Sequence, residues 1–272
     1  MKTWFITGTS RGFGREWAEA ALQRGDRVAA TARDASSLKD LEEQYGDAVL
    51  ARALDVTDPT AVRTVVDEAA RHFGRLDVVV NNAGYGQFGM LEELSEDELR
   101  AQIETNVFGA LWVTQAALPH LREQRGGHIL QVSSIGGISA FPGLGAYHAS
   151  KWALEGFSQA LAQEVADFGI KVTLIEPGGF STDWGGASAK HAQQLAAYDE
   201  VRAKVAEQRK QRVAEPGDPK ASAAAVLALV DSEEPPLRVF FGKAPLGIAT
   251  ADYERRLAGW REWQWLAEQA QG

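Results

Sequence analysis

Thr3-Trp4-Phe5-Ile6-Thr7-Gly8-Thr9-Ser10-Arg11-Gly12-Phe13-Gly14 decides the fold. The apolar run Trp4 to Thr7 reads as a short buried strand. Three glycines follow, and a helical pattern runs over residues 15–24. A strand, a glycine turn and a helix N-terminus together make a phosphate site. Glycine permits the tight turn and close backbone approach, and the helix dipole favours an anion. The spacing is Gly-x-x-x-Gly-x-Gly, not the commoner Gly-x-Gly-x-x-Gly, and glycines also serve ordinary turns. The downstream pattern supplies the context. Apolar strands at 27–32, 48–54, 76–80, 127–132, 171–175 and 237–241 alternate with helical periodicity at 35–45, 60–73, 95–121, 146–168 and 219–231. That alternation predicts an α/β, Rossmann-type, doubly wound parallel sheet of about seven strands with helices on both faces.

The 272 residues are 45% hydrophobic and 24% charged, with a formal charge of −9. This fits one dinucleotide-binding catalytic domain over 1–272, without internal repeat or low-complexity linker. The acidic balance and the absence of long basic runs argue against a nucleic-acid partner. There is no cysteine, which excludes disulfides, thiolate metal sites and a thiol nucleophile. The five histidines show no ligand spacing, so no metal site is assigned. No signal-peptide pattern and no apolar stretch of the ~20 residues that span a bilayer is present, and a cytoplasmic location is expected.

Cofactor selectivity is read at the end of the second strand. An acidic residue there would bind the ribose hydroxyls of NAD. This chain instead has Thr31-Ala32-Arg33. Arg33 can grip a 2′-phosphate in bidentate fashion, and Arg11 in the glycine turn can supply a second charge. NADP(H) is therefore preferred, with NAD(H) possible. Asp55, followed by Val56, can accept a hydrogen bond from an adenine amino group, while Asp58 before Pro59 suits a helix N-cap. Asn82-Ala83-Gly84 ends the fourth strand, on the ligand side of such a sheet.

The chemistry centres on Ser134 to Lys151. Tyr147 and Lys151 are four residues apart, one helical turn on the same face. Ser134 stands just past a strand. A phenol titrates near ~10; a neighbouring ammonium lowers that value and makes the phenol a usable acid/base. Asn106 falls inside a helical stretch where an amide is a poor helix former. It serves either as a structural hydrogen-bonder or as the holder of a water that passes protons to Lys151. Tyr85, Phe88, Ile135, Phe141, Leu144, Phe180 and Trp184 are the candidate substrate wall, apolar and without an obvious charge for a carboxylate or phosphate. Pro177-Gly178 and Thr182 leave the sixth strand on the same side. A segment near 180–215, with an amphipathic helix over 191–212, reads as a lid or a plain surface helix. A helical extension near 250–270 places Tyr253, Leu257 and Trp260 on one face and Trp265 away from it.

Taken together, Thr7-Gly8-x-x-x-Gly12-x-Gly14, Asp55, Asn81-Asn82-Ala83-Gly84, Asn106, Ser134, Tyr147-x-x-x-Lys151 and Pro177-Gly178-x-x-x-Thr182 resemble the single-domain short-chain dehydrogenase/reductase family. The resemblance covers roughly residues 3–185. It implies Tyr147 as acid/base, Lys151 on the nicotinamide ribose and depressing the phenol's pKa, and Ser134 on the substrate oxygen. It implies Asn106 at a relay water. Gly8, Ser10, Arg11, Gly12, Phe13 and Gly14 fall around the pyrophosphate, and Asp55 and Val56 at the adenine. It places Asn82, Ala83 and Gly84 along the adenosine ribose and neighbouring backbone, Pro177, Gly178 and Thr182 at the nicotinamide end, and Arg33 where many members carry an NADP-selecting arginine. Phe13 replaces the usual small aliphatic residue, and the tail beyond Phe241 departs from members that tetramerise through the last strand, leaving a homo-oligomer possible. The expected activity is interconversion of a ketone or aldehyde and an alcohol on a small apolar molecule. The alternative is an NADP(H)-binding sensor or scaffold without turnover.

Overall fold

Seven parallel strands form the central sheet of the computed structural model, which describes residues 1–186, 188–212 and 215–272. They are β1 (Thr3–Thr7), β2 (Arg27–Ala32), β3 (Val49–Ala53), β4 (Val78–Asn81), β6 (Gly127–Val132), β7 (Ile170–Pro177) and β9 (Arg238–Phe241), in the order β3-β2-β1-β4-β6-β7-β9. A separate parallel pair joins β5 (Gln87–Phe88) to β8 (Lys190–His191). Alternation within β1 divides the core: Trp4 and Ile6 face one side, Phe5 the other. The first side is covered by α1 (Gly12–Gln23), α2 (Lys39–Tyr45) and α8 (Ala221–Asp231), which contribute Trp17, Leu41 and Val226. The second is covered by α3 (Pro59–Phe73), α5 (Gly109–Glu123) and α6 (Gly145–Glu164), with Val66, Val113 and Leu161. Strands buried on both faces must be almost wholly apolar, and Val78, Val79 and Val80 are at most 1% exposed.

The chain runs outward from β1 to β3, then returns to β4 beside β1 and continues the other way. The two directions part between β1 and β4, where the C-terminal strand ends leave a crevice. Asn82 stitches the two ends: its Nδ2 donates to the Thr7 and Gly8 carbonyls at 2.9 and 3.0 Å.

Several expected boundaries move. The stretch 95–121 is not one α-helix but α4 (Glu96–Ile103), a π-helical turn (Glu104–Phe108) and α5. The Gly109 amide bonds the Glu104 carbonyl, five residues back. Pro119 lies inside α5. The lid helix starts later than its periodicity suggests, as α7 (Asp199–Arg212). Of the expected lid segment, Ala187, Val213 and Ala214 lie outside the described residues. The C-terminal helix starts earlier, as α9 (Pro245–Glu262), where proline at the first turn needs no amide partner. It is broken at Trp263 before α10 (Gln264–Gln271). No described helix is long and apolar enough to cross a membrane.

Candidate active site

A cavity of about 1100 Å3 opens over the crevice between β1 and β4. It is lined by Gly8, Ser10, Arg11, Gly12 and Phe13 of the glycine turn, by Arg33, Asp55 and Val56, and by Asn82, Ala83 and Gly84. Ser134, Tyr147, Lys151, Pro177, Gly178 and Thr182 line it too, as do Tyr85, Ile135, Phe141, Leu144, Phe180 and Trp184. Three residues picked from the sequence do not: Gly14, Asn106 and Phe88.

The glycine turn has the shape its composition predicts. Gly8 and Gly12 sit at φ +70° and +62°, the left-handed region open to glycine. Gly14 lies behind the turn. A Cβ there would stand 2.4 Å from the Gly8 carbonyl oxygen and 2.5 Å from Asn82 Nδ2, so the residue lets α1 approach the strand ends and does not face the cavity. The N-cap of α1, Arg11, makes no side-chain capping bond. The first amides of the helix therefore keep their donors beside the cavity, which suits a pyrophosphate. Phe13 fits because it stacks on Trp17 at 5.2 Å and meets Phe180 edge-on at 4.9 Å.

Arg33 is exposed at the end of β2 and borders the cavity. Arg11, expected to assist it, instead pairs with Asp183 at 3.2 Å. Asp55 accepts hydrogen bonds from the Thr57 amide and hydroxyl at 2.9 and 2.8 Å, while Asp58 caps α3 through Thr60 and Ala61.

Tyr147 and Lys151 lie one turn apart on α6, both buried, with Lys151 Nζ 5.7 Å from the Tyr147 ring centre. Lys151 donates to the Val132 carbonyl at 2.7 Å. Burial brings its ammonium down to about 8, against a raising contribution from Glu155. The phenol departs from expectation. Burial pushes Tyr147 up to about 12, opposed only by hydrogen bonding with Ser134. Loss of solvation for a phenolate at the bottom of a cavity sets the direction of the shift. Ser134 Oγ also accepts from the Gly136 amide at 2.9 Å. Trp184 covers the phenol, its ring 4.8 Å from that of Tyr147.

Asn106 sits in the π turn and is fully engaged. Its Nδ2 donates to the Tyr85 carbonyl and to Ser150 Oγ, and its Oδ1 accepts from the Tyr85 amide at 3.1 Å. Its side chain thus fastens the loop after β4 and Ser150 of α6 rather than the sheet. The buried Gln102 doubles the grip, donating to the Tyr85 carbonyl and accepting from the Gln87 amide.

His148, the residue after Tyr147, was not singled out in the sequence. Its Nε2 accepts from the Phe141 amide at 2.9 Å, which leaves Nδ1–H to donate to the Gly136 carbonyl at 2.8 Å. The ring thereby fixes the glycine-rich loop after Ser134. A proton-bearing ring beside the candidate acid/base Tyr147 was the available signal. The expectation of an uncharged substrate wall is also corrected. Lys190 lies 4.5 Å over the Tyr85 ring, and Arg209 of α7 lies 5.0 Å over Phe88 and 6.0 Å over Trp184. Both border the cavity.

A short chain dehydrogenase family model matches residues 2–193. The chain is 45% identical over 268 residues to an oxidoreductase, BOA17, of Botryotinia fuckeliana, covering 98% of each chain. A short-chain dehydrogenase structure from Streptomyces avermitilis superposes with a TM-score of 0.92 at 42% identity, covering 99% of this chain and 100% of that one. An alcohol dehydrogenase from the archaeon Thermococcus sibiricus, complexed with 5-hydroxy-NADP, gives 0.74 at 29% identity, covering 89% and 96%. The chain belongs to the short-chain dehydrogenase/reductase family and is an oxidoreductase of that family.

Proposed function

We propose, with family membership as the premise, that this protein is an NADP(H)-dependent enzyme interconverting a ketone or aldehyde and an alcohol on a hydrophobic small molecule. One observation carries the reading. Ser134, Tyr147 and Lys151 border the same cavity as the uncapped glycine turn and Arg33. A nicotinamide cofactor held between the turn and the Pro177-Gly178-Thr182 segment would supply hydride. Arg33, with no acid at Ala32, would take a 2′-phosphate.

The chain's own groups account for the proton. At neutral pH a phenol near 12 is protonated, so Tyr147 holds a proton ready for a carbonyl oxygen. Lys151, near 8, is predominantly an ammonium and favours the phenolate left behind. Ser134 offers a hydroxyl to the same oxygen. Trp184 above the phenol limits water at the reacting centre.

Turnover is measured as NADPH consumption over a panel of apolar ketones and aldehydes, with NADH in parallel. Tyr147→Phe is expected to lower kcat by at least ~10²–10⁴-fold, the usual contribution of a positioned acid/base, while NADPH affinity by fluorescence titration stays within about twofold. A Tyr147→Phe enzyme as fast as the natural one would overturn the role. NADPH binding without turnover in either direction would leave the sensor.

A further inference from the structure

A second chamber of about 430 Å3 adjoins the cavity and shares Phe141, Leu144 and Arg209 with it. Its volume lies within the ~300–1,000 Å3 of small-molecule sites. The lining is predominantly carbon, from Phe88 and Met90 on one side and Val205 and Ala206 of α7 on another. Phe88, expected at the substrate wall, belongs here and not to the larger cavity.

Its charges are accounted for. Glu93, fully buried, accepts from the Met90 and Leu195 amides and pairs with Arg202 at 2.8 Å. That pair ties α7 to the loop after β5. The Arg209 guanidinium lies over the faces of Phe88 and Trp184, at 5.0 and 6.0 Å, and Lys210 is exposed. A space walled by carbon and reached past Phe141 and Leu144 suits hydrocarbon.

We infer that the chamber receives an unbranched apolar extension of the substrate, so that the substrate is a carbonyl compound or alcohol carrying a linear hydrocarbon tail on one side of the reacting carbon. This rests on the proposed oxidoreductase reading and adds the substrate's shape. The carbonyl would lie at Ser134 and Tyr147, and the tail beneath α7. Met90, unbranched and adaptable, suits a flexible occupant.

The test is a series of straight-chain alkan-2-ones from butan-2-one to decan-2-one, in which each added methylene extends the same side. The expected kcat/KM rises about fourfold per methylene, the fold-change equivalent to ~0.8 kcal/mol per buried CH2, and then levels off as the chamber fills. Val205→Trp and Ala206→Trp, two separate obstructions on exposed or half-exposed helix positions, should each cut the decan-2-one to butan-2-one ratio at least tenfold. Circular dichroism checks that each is folded. A wild-type ratio near one, or the same ratio in wild type and both folded variants, would sink the inference and leave the reductase reading standing. If no ketone turns over at any length, the reductase reading fails. Calorimetric affinities for the same series then decide the chamber. Tightening with length that both variants lose would sustain it, and equal affinities would reject it.

Discussion

His128 is a neutral ring held in one tautomer by its neighbours. Thr173 gives its only hydroxyl hydrogen to the Pro236 carbonyl at 2.7 Å, so at 2.9 Å it accepts from His128 Nε2–H. The other nitrogen, Nδ1, is buried without a hydrogen-bond partner among the described residues. Burial is the chief reason its pKa falls to about 3, with Lys171 and Lys2 adding to it. In the unfolded chain a histidine titrates near ~6.5. Between those values the unfolded state binds a proton that the folded state refuses. The associated stability is full above about pH 6.5 and is lost as pH falls toward 3, by at most ~1.4 kcal/mol per pH unit. His128→Gln retains a donor for Thr173 and removes the titration. Urea midpoints followed from pH 7 to pH 4 should therefore fall less steeply for the variant. Parallel curves would show that His128 does not govern acid lability.

Elements meet at a buried charge cluster that ties α6 to the sheet. Glu155 of α6 and Glu176 of β7 are 6% and 1% exposed, and Arg238 of β9 reaches both, at 2.9 and 3.5 Å. Ser133 donates to Glu155 at 2.5 Å. Two carboxyls around one guanidinium cannot both ionise freely in a dry site. Burial first, then the charge of Glu155, raises Glu176 to about 8. The sign is opposite to that of His128. The folded state holds a proton that the unfolded carboxyl gives up near ~4.3, so this contribution is full below that value and is lost as pH rises through about 8. Glu176→Gln mimics the protonated form. Its stability relative to the natural protein should grow from pH 6 to pH 9 in thermal melts, and a constant difference would reject the shared-proton description.

The sequence made the strands and most helices legible because each satisfies a local rule: buried apolar runs, glycine turns, and caps such as Asp58 and Ser95. Local rules do not reach the rest. The π turn at Asn106 follows from bonds to Tyr85 and Ser150, 21 and 44 residues away. The late start of α7 follows from the grip of Glu93 on Leu195 and Arg202, 102 and 109 residues away. The candidate site was readable as a set of residue types at intervals, but the direction of the Tyr147 shift was not. Spacing shows that Lys151 is near, whereas burial, a property of the folded whole, decides the direction of the shift.

Charge is distributed unevenly over the molecule. The chain carries −9, yet the large cavity gathers Arg11, Arg33, Lys151, Lys190 and Arg209 against Asp55, Glu104 and Asp183. A locally cationic crevice on an acidic protein concentrates an anionic ligand and repels it elsewhere. Arg11 is partly cancelled by Asp183, which leaves Arg33 as the exposed cation at the end of β2. The proposed NADP(H) preference then has a salt signature. A 2′-phosphate brings about −1.5 to −2 charges, and exposed charges are screened beyond ~10 Å at 0.1 M salt. Between 50 and 500 mM salt the Kd for NADPH should rise more steeply than that for NADH. Arg33→Ala should bring the two slopes together and weaken NADPH at least about tenfold more than NADH, as expected for a lost charge-assisted bond of ~1.5–3 kcal/mol. Fluorescence titrations with both cofactors over the salt series measure slope and selectivity together. Equal slopes in the natural protein, or equal losses in Arg33→Ala, would move the selectivity away from Arg33 and leave the crevice a general anion funnel.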